Sequence, residues 1–148
     1  MSQTIFEAAG GMPAFLALAR AWHARCLADP VVSHAFSHGY HPQHSERLAA
    51  YWAEALGGPA DYSHEMGNET VVVRLHSGNG AHAEMDERAQ ACFAQALDDA
   101  GIPDDTRLRA TLKGYFAWAT HRMNEYPESS GHVPRGLTIG RWSWDGPA

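Results

Sequence analysis

Two glycine breaks, Gly10-Gly11 and Gly57-Gly58-Pro59, cut this chain into stretches whose apolar residues recur at helical spacing. That punctuation predicts an all-helical body. Phe15, Leu16, Ala19, Trp22, His23 and Cys26 share one face of a helix starting near Met12-Pro13, where proline's missing donor costs little. Asp29-Pro30 predicts a stop and a restart, an Asp cap followed by Pro at the first helical position. The short segment after it is expected to bury Val31, Val32, Ala35 and Phe36. A further helix is predicted from about Gln43 to Leu56, with His44, Leu48, Tyr51, Trp52 and Ala55 inward. Asp61 to Asn68 reads as irregular. Val71 to Leu75 is strand-like by β-branching alone. With no partner strand apparent, it is read as an extended or short helical lead-in to His76.

Two long helices are expected to close the domain. One covers about Ala83 to Ala100, with Met85, Ala89, Cys92, Phe93, Ala96 and Leu97 inward. The other covers about Asp104 to Glu125, with Leu108, Leu112, Tyr115, Phe116, Ala119 and Met123 inward. The predicted organisation is one domain over residues 1–126 and a tail over 127–148. The tail is rich in Gly, Pro and Ser, but its Leu137, Ile139, Trp142 and Trp144 are expected to dock on the body or on a partner chain.

Composition narrows the function classes. At 148 residues, 45% hydrophobic and 19% charged, the chain suits one globular domain and excludes a disordered one. A formal net charge of -6 leaves no basic footprint for nucleic acid. No stretch is long and apolar enough to span a bilayer. No basic region leads into an apolar run near the N-terminus, so a cytoplasmic location is expected. Cys26 and Cys92 both fall in apolar helical patterns, which suits buried free thiols, with a single disulfide as the alternative.

Histidine placement carries the chemistry. His76 follows Val71-Val72-Val73-Arg74-Leu75 and precedes the loose Ser77-Gly78-Asn79-Gly80. Neutral imidazole suits iron, so His76 is a candidate proximal ligand, its other nitrogen held by a carbonyl. On residue type alone a surface histidine at a loop entry is the commoner case. His23 and His44 are candidates for the opposite, distal side; otherwise His23 is a core-edge residue and His44 a solvated first-turn residue. His34, His38, His41 and His44 form a cluster in which zinc is conceivable, although no Cys or close carboxylate completes a known spacing. His82 is the rival to His76. Gly57-Gly58-Pro59 is no phosphate loop, since no Lys-Ser or Lys-Thr follows.

Taken together these residues resemble the truncated haemoglobins, most closely their second group. The resemblance runs from about Ile5 to Tyr126. It rests on Ile5-Phe6-Glu7-Ala8-Ala9-Gly10-Gly11, Ala28-Asp29-Pro30, Phe36, Arg47-Leu48, Gly57-Gly58-Pro59 with Tyr62, and Arg74 with His76. It implies a two-over-two helical sandwich around haem b (iron protoporphyrin IX). By the resemblance His76 is the proximal iron ligand, and Phe36 packs on the haem. His44 and Leu48 fall at two distal positions, while Arg47, Tyr62 and Arg74 are candidates to hold propionates. Two departures are notable. His23 stands where the family usually has a distal tyrosine, and Ala89 stands where the second group usually has a tryptophan. The distal side is thereby rich in imidazole, able to hydrogen-bond dioxygen or peroxide, or to ligate iron itself.

The function expected is therefore a haem protein binding dioxygen, nitric oxide, carbon monoxide or peroxide. Redox chemistry of the nitric oxide dioxygenase or peroxidase-like kind is open to it, with an unidentified electron donor. The aromatic tail makes a homodimer plausible. The alternative is a non-haem helical interaction module that uses the His-rich loop to hold metal and the Trp142/Trp144 tail to meet a partner.

Overall fold

A computed structural model describes residues 3–37, 39–80 and 82–148. The chain begins with a locked turn. Thr4 and Glu7 form a reciprocal capping box at the start of α1 (Ile5–Ala9), satisfying two backbone donors at once. Gly10, at φ +118°, ends α1 in the left-handed region that L side chains avoid. Helix α2 (Gly11–Ala28) follows without a linker, one residue earlier than the position of Pro13 suggests. Asp29 then behaves as its sequence context predicts. Its Oδ1 accepts from the Val31 and Val32 amides at 2.8 and 2.9 Å and opens a 3-10 turn, Val32–Phe36. Those backbone bonds, with Arg88 nearby, hold its carboxyl below the usual carboxylate range. Only Val32 is fully buried in this turn. Ala35 is exposed, because a five-residue 3-10 turn presents a narrower inner face than an α-helix.

Helix α3 (His44–Ala55) ends at Gly57-Gly58 as expected. The reason is partly conformational, Gly57 having φ +97°. It is also steric: a Cβ on Gly58 would stand 2.7 Å from the Phe6 ring and 2.8 Å from the Ala53 carbonyl oxygen. The second glycine break therefore lets α1 lie against the end of α3, where the Phe6 amide donates to the Leu56 carbonyl at 3.0 Å. Gly58→Ala is expected to destabilise the fold by about 1–3 kcal/mol through this overpacking. Urea midpoints compare the two proteins, and an unchanged midpoint would show that the contact yields freely.

The irregular stretch contains a π-helical turn, Tyr62–Met66, that buries Tyr62. After it, Asn68 caps the short α4 (Glu69–Leu75) through the Val71 amide. The β-branched run is thus helical. Val73 is buried and Val72 partly so, and local propensity yields to that packing. Helices α5 (Ala83–Asp99) and α6 (Thr106–Met123) match the predicted pair, with Asp105 capping α6 through the Leu108 amide. Helix α2 packs on α3 and α5, and α5 packs on α6. This is the two-over-two helical sandwich. Its core runs through Phe15, Leu18, Trp52, Phe93, Leu112, Tyr115 and Phe116, with Phe93 and Phe116 stacked at 4.4 Å.

The tail docks on its own body. Val133 and Ile139 are buried, Trp142 packs on Trp118 at 5.3 Å, and the Trp144 indole donates to the Gln3 carbonyl at 2.8 Å. A minimal hairpin, β1 (Trp142–Ser143) with β2 (Gly146–Pro147), finishes it. Cys26 and Cys92 are buried free thiols, and burial raises both above the ordinary thiol range. No helix among the described residues is long and apolar enough to cross a membrane.

Candidate functional site

Three elements bring the singled-out histidines to one side of the sandwich. His23 lies in the fourth turn of α2 and is buried. His44 is the first residue of α3 and half-buried. Their Nδ1 atoms are 2.6 Å apart. A contact this short needs one proton between the two nitrogens, because two protons or two lone pairs would repel. One ring therefore holds its proton at Nδ1 and the other at Nε2. At its outer nitrogens the pair offers one donor and one acceptor.

Phe36 and Tyr40 complete this wall. Phe36 lies 4.9 Å from His23 and 5.3 Å from His44 between ring centroids, and Tyr40 lies 4.5 Å from His23. Tyr40 is not among the residues that sequence reasoning singles out. It sits in a loop with no helical period to reveal which way it faces, and only its neighbourhood of histidines and aromatics hints at a role. Leu48, one turn after His44, is half-buried against the main core.

His76 stands on the third of these elements. It is the C-terminal cap of α4, exposed, with Nδ1 2.8 Å from the Val72 carbonyl oxygen. A carbonyl can only accept, so that bond places the proton on Nδ1 and leaves the Nε2 lone pair free. His76 lies close enough to His44 to influence that residue electrostatically. Burial, then repulsion from His23 and His76, pushes His44 down to about 4. Burial also lowers His23.

The side of α4 that carries His76 also carries large exposed apolar groups. Leu75 is 75% exposed and Val71 47%, one turn apart, and Tyr40 on the opposing wall is 52% exposed. Such groups gathered around a free imidazole suit a flat apolar ligand that would cover them.

The remaining candidates are placed as follows. Arg47 donates to the Met66 carbonyl at 2.7 Å and lies over the Tyr62 ring. Tyr62 is buried, packed on Tyr51, rather than standing at a rim. Arg74 is exposed on α4. Ala89 does not leave open space. The indole of Trp22 reaches across from α2 and donates to the Ala89 carbonyl at 3.1 Å. It packs there against Phe36, Trp52 and Phe116. His82, the rival for the proximal role, stands at the N-terminal end of α5 with its Nδ1 2.9 Å from an Asp86 carboxylate oxygen. His38 lies outside the described residues. Among the described residues, no group of three or more His, Cys, Asp or Glu gathers to hold a metal ion by itself.

Comparison with known proteins agrees with this geometry. A family model described as bacterial-like globin matches residues 4–122. The chain belongs to the bacterial-like globins. Its fold is that of the group II truncated haemoglobin from Bacillus anthracis, with a TM-score of 0.73 and 22% identity over 90% of this chain and 99% of that one. A thermostable haemoglobin from the actinobacterium Thermobifida fusca is 30% identical, covering 82% of this globin and 96% of its own chain, with a TM-score of 0.67. The haemoglobin of the thermophilic phototroph Chloroflexus aurantiacus is 26% identical over 84% and 99%, with a TM-score of 0.70. No curated protein matches the sequence. The resemblance to truncated haemoglobins is borne out by fold and family together.

Depressed imidazoles make this globin sensitive to acid. The fold prefers His44 neutral. Above its ordinary value of 6.5 the folded and unfolded chains are both neutral there, and the contribution is whole. Between 6.5 and about 4 the unfolded chain takes a proton that the folded chain resists, so stability falls with pH; below about 4 the loss is complete. His44→Leu is expected to remove about 1 kcal/mol of that acid loss, after discounting for partial exposure. Urea titrations at about pH 7 and about pH 4.5 measure it. A variant with the pH dependence of the wild type would remove His44 as the cause.

Proposed function

We propose that this globin holds haem b between α3 and α4 and binds dioxygen or another diatomic gas at the iron, with His76 as the proximal ligand. One observation carries the reading. His76 has its Nδ1 committed to the Val72 carbonyl and its Nε2 free, it lies close enough to His44 to influence it electrostatically, and large apolar groups beside both histidines are exposed. The haemoglobin names of the Thermobifida fusca and Chloroflexus aurantiacus relatives support it. Haem, when bound, supplies a ferrous iron with an open coordination position.

The rest of the chemistry belongs to the chain. The Val72 carbonyl orients His76 and makes it a better electron donor. The His23–His44 pair holds one Nε2–H donor toward the distal side and can pass a proton along its shared bond. Phe36 fixes both imidazoles by packing, and Tyr40 screens the mouth from water. For the propionates the reading keeps Arg47, Tyr62 and Arg74. Arg74 is the best placed by exposure, and Arg47 would have to leave the Met66 carbonyl. The paired imidazoles also favour proton-assisted redox chemistry on peroxide or nitric oxide, since a neutral His pair both gives and receives a proton.

Titration of the purified protein with haemin tests the reading. A Soret band saturating at one haem per chain is expected, with ferrous and carbonyl spectra characteristic of imidazole ligation. A protein that leaves haemin's spectrum unchanged would overturn it. The interaction-module alternative is weakened by the tail, because Trp142 and Trp144 are packed on the chain's own Trp118, Gln3 and Arg107.

A further inference from the structure

We propose that the segment after α6 is a brace for the proximal helix, and that Thr70 is the positioning residue through which it acts on His76. The inference rests on the proposed proximal role of His76. Helix α4 has seven residues, two turns, too few to be stable on their own. Its slot-facing side leaves Val71, Leu75 and His76 exposed, so its position depends on what grips it from behind.

The grip comes largely from the segment beginning at Tyr126, beyond the part of the chain that matches the family model. Thr70 is buried near the start of α4. Its Oγ1 donates to the Pro134 carbonyl at 3.1 Å and accepts from the Leu137 amide at 3.0 Å. Just past His76, the Gly78 and Gly80 amides donate to the Tyr126 and Pro127 carbonyls at 3.1 and 2.8 Å. Both glycines have positive φ, which lets the chain turn toward those acceptors.

A charged link reinforces the first end. Glu69, fully buried, accepts from Tyr51 of α3 at 2.6 Å and from Arg122 of α6 at 2.7 Å. Arg122 also donates to the tail's Thr138 carbonyl at 3.0 Å. The proximal helix is thus held at both ends by the same downstream segment. Thr70 is the one α4 side chain that bonds it directly, both as donor and as acceptor.

Thr70→Val keeps the shape and removes both bonds; Thr70→Ser keeps the hydroxyl. Two readouts apply to each variant. Amide hydrogen exchange across residues 71–78 reports local opening of α4, with α5 and α6 as internal controls. The iron–histidine stretching band of the ferrous protein, by resonance Raman, reports how the proximal imidazole is held. Thr70→Val is expected to speed exchange in α4 about tenfold, the equivalent of about 1.4 kcal/mol, without matching acceleration in α5 and α6. It should also shift or broaden the stretching band, and Thr70→Ser should restore both signals.

Unchanged exchange and an unchanged band in Thr70→Val would overturn the brace. So would a Thr70→Ser variant as perturbed as Thr70→Val, or acceleration spread equally over all helices. A protein that takes up no haemin would sink the haem reading instead, and the exchange comparison would still decide whether the tail holds α4.

Discussion

His76→Ala is expected to abolish protein-based axial coordination from the proximal side and to cut haem retention sharply. The size of the effect follows from geometry. His76 sits at the end of α4, whereas its rival His82 belongs to the head of α5 and is turned to Asp86 through Nδ1. A coordinate bond lost without replacement leaves only apolar contact and the propionate contacts to hold the macrocycle. Added imidazole should restore part of the ferrous spectrum by filling the vacated volume. A His76→Ala protein with the wild-type ferrous spectrum and full haem occupancy would remove His76 from the centre of this chemistry.

Loss of the distal pair is expected to produce the second large effect. A ligand carrying partial negative charge gains about 1.5–3 kcal/mol from one hydrogen bond, which is roughly ten- to a hundredfold in dissociation rate if only the bound state feels it. The shared proton makes the two residues interdependent. His23→Leu frees the Nδ1 of His44, and His44→Leu frees that of His23, so each single variant can change the tautomer presented to the ligand. The double variant should therefore release dioxygen faster than wild type by the full factor, while the single variants fail to add. Stopped-flow release rates for all four proteins measure this. Equal rates throughout would show that neither imidazole touches the ligand.

Much of this architecture is legible in the sequence because helix punctuation is local. Asp29 caps the two amides that follow it, and Gly57-Gly58 ends α3, each for reasons contained in a few residues. The position of His76 at a helix end is legible for the same reason, because a helix there gives way to a glycine-rich loop. The features that escape it depend on meetings between distant segments. Glu69 reads as a first-turn acid and is in fact fully buried, because Tyr51 and Arg122 arrive from two other helices to satisfy it. Tyr40 lies in a loop whose path no periodicity reveals. The tail's docking on its own body depends on Gly140, whose missing side chain lets the backbone lie against Trp118, where a Cβ would come within 2.3 Å of the ring.

The indole seated on the Ala89 carbonyl bears on any attempt to place at position 89 the tryptophan that the resemblance to the second group implies. Trp22 and position 89 draw on one parcel of volume from opposite helices, so an Ala89→Trp replacement alone would force two bulky rings into the room of one. Only a reciprocal exchange, with position 22 made small as position 89 is made large, conserves that volume. Residues that look independent in a linear comparison are, in this globin, halves of a single steric trade.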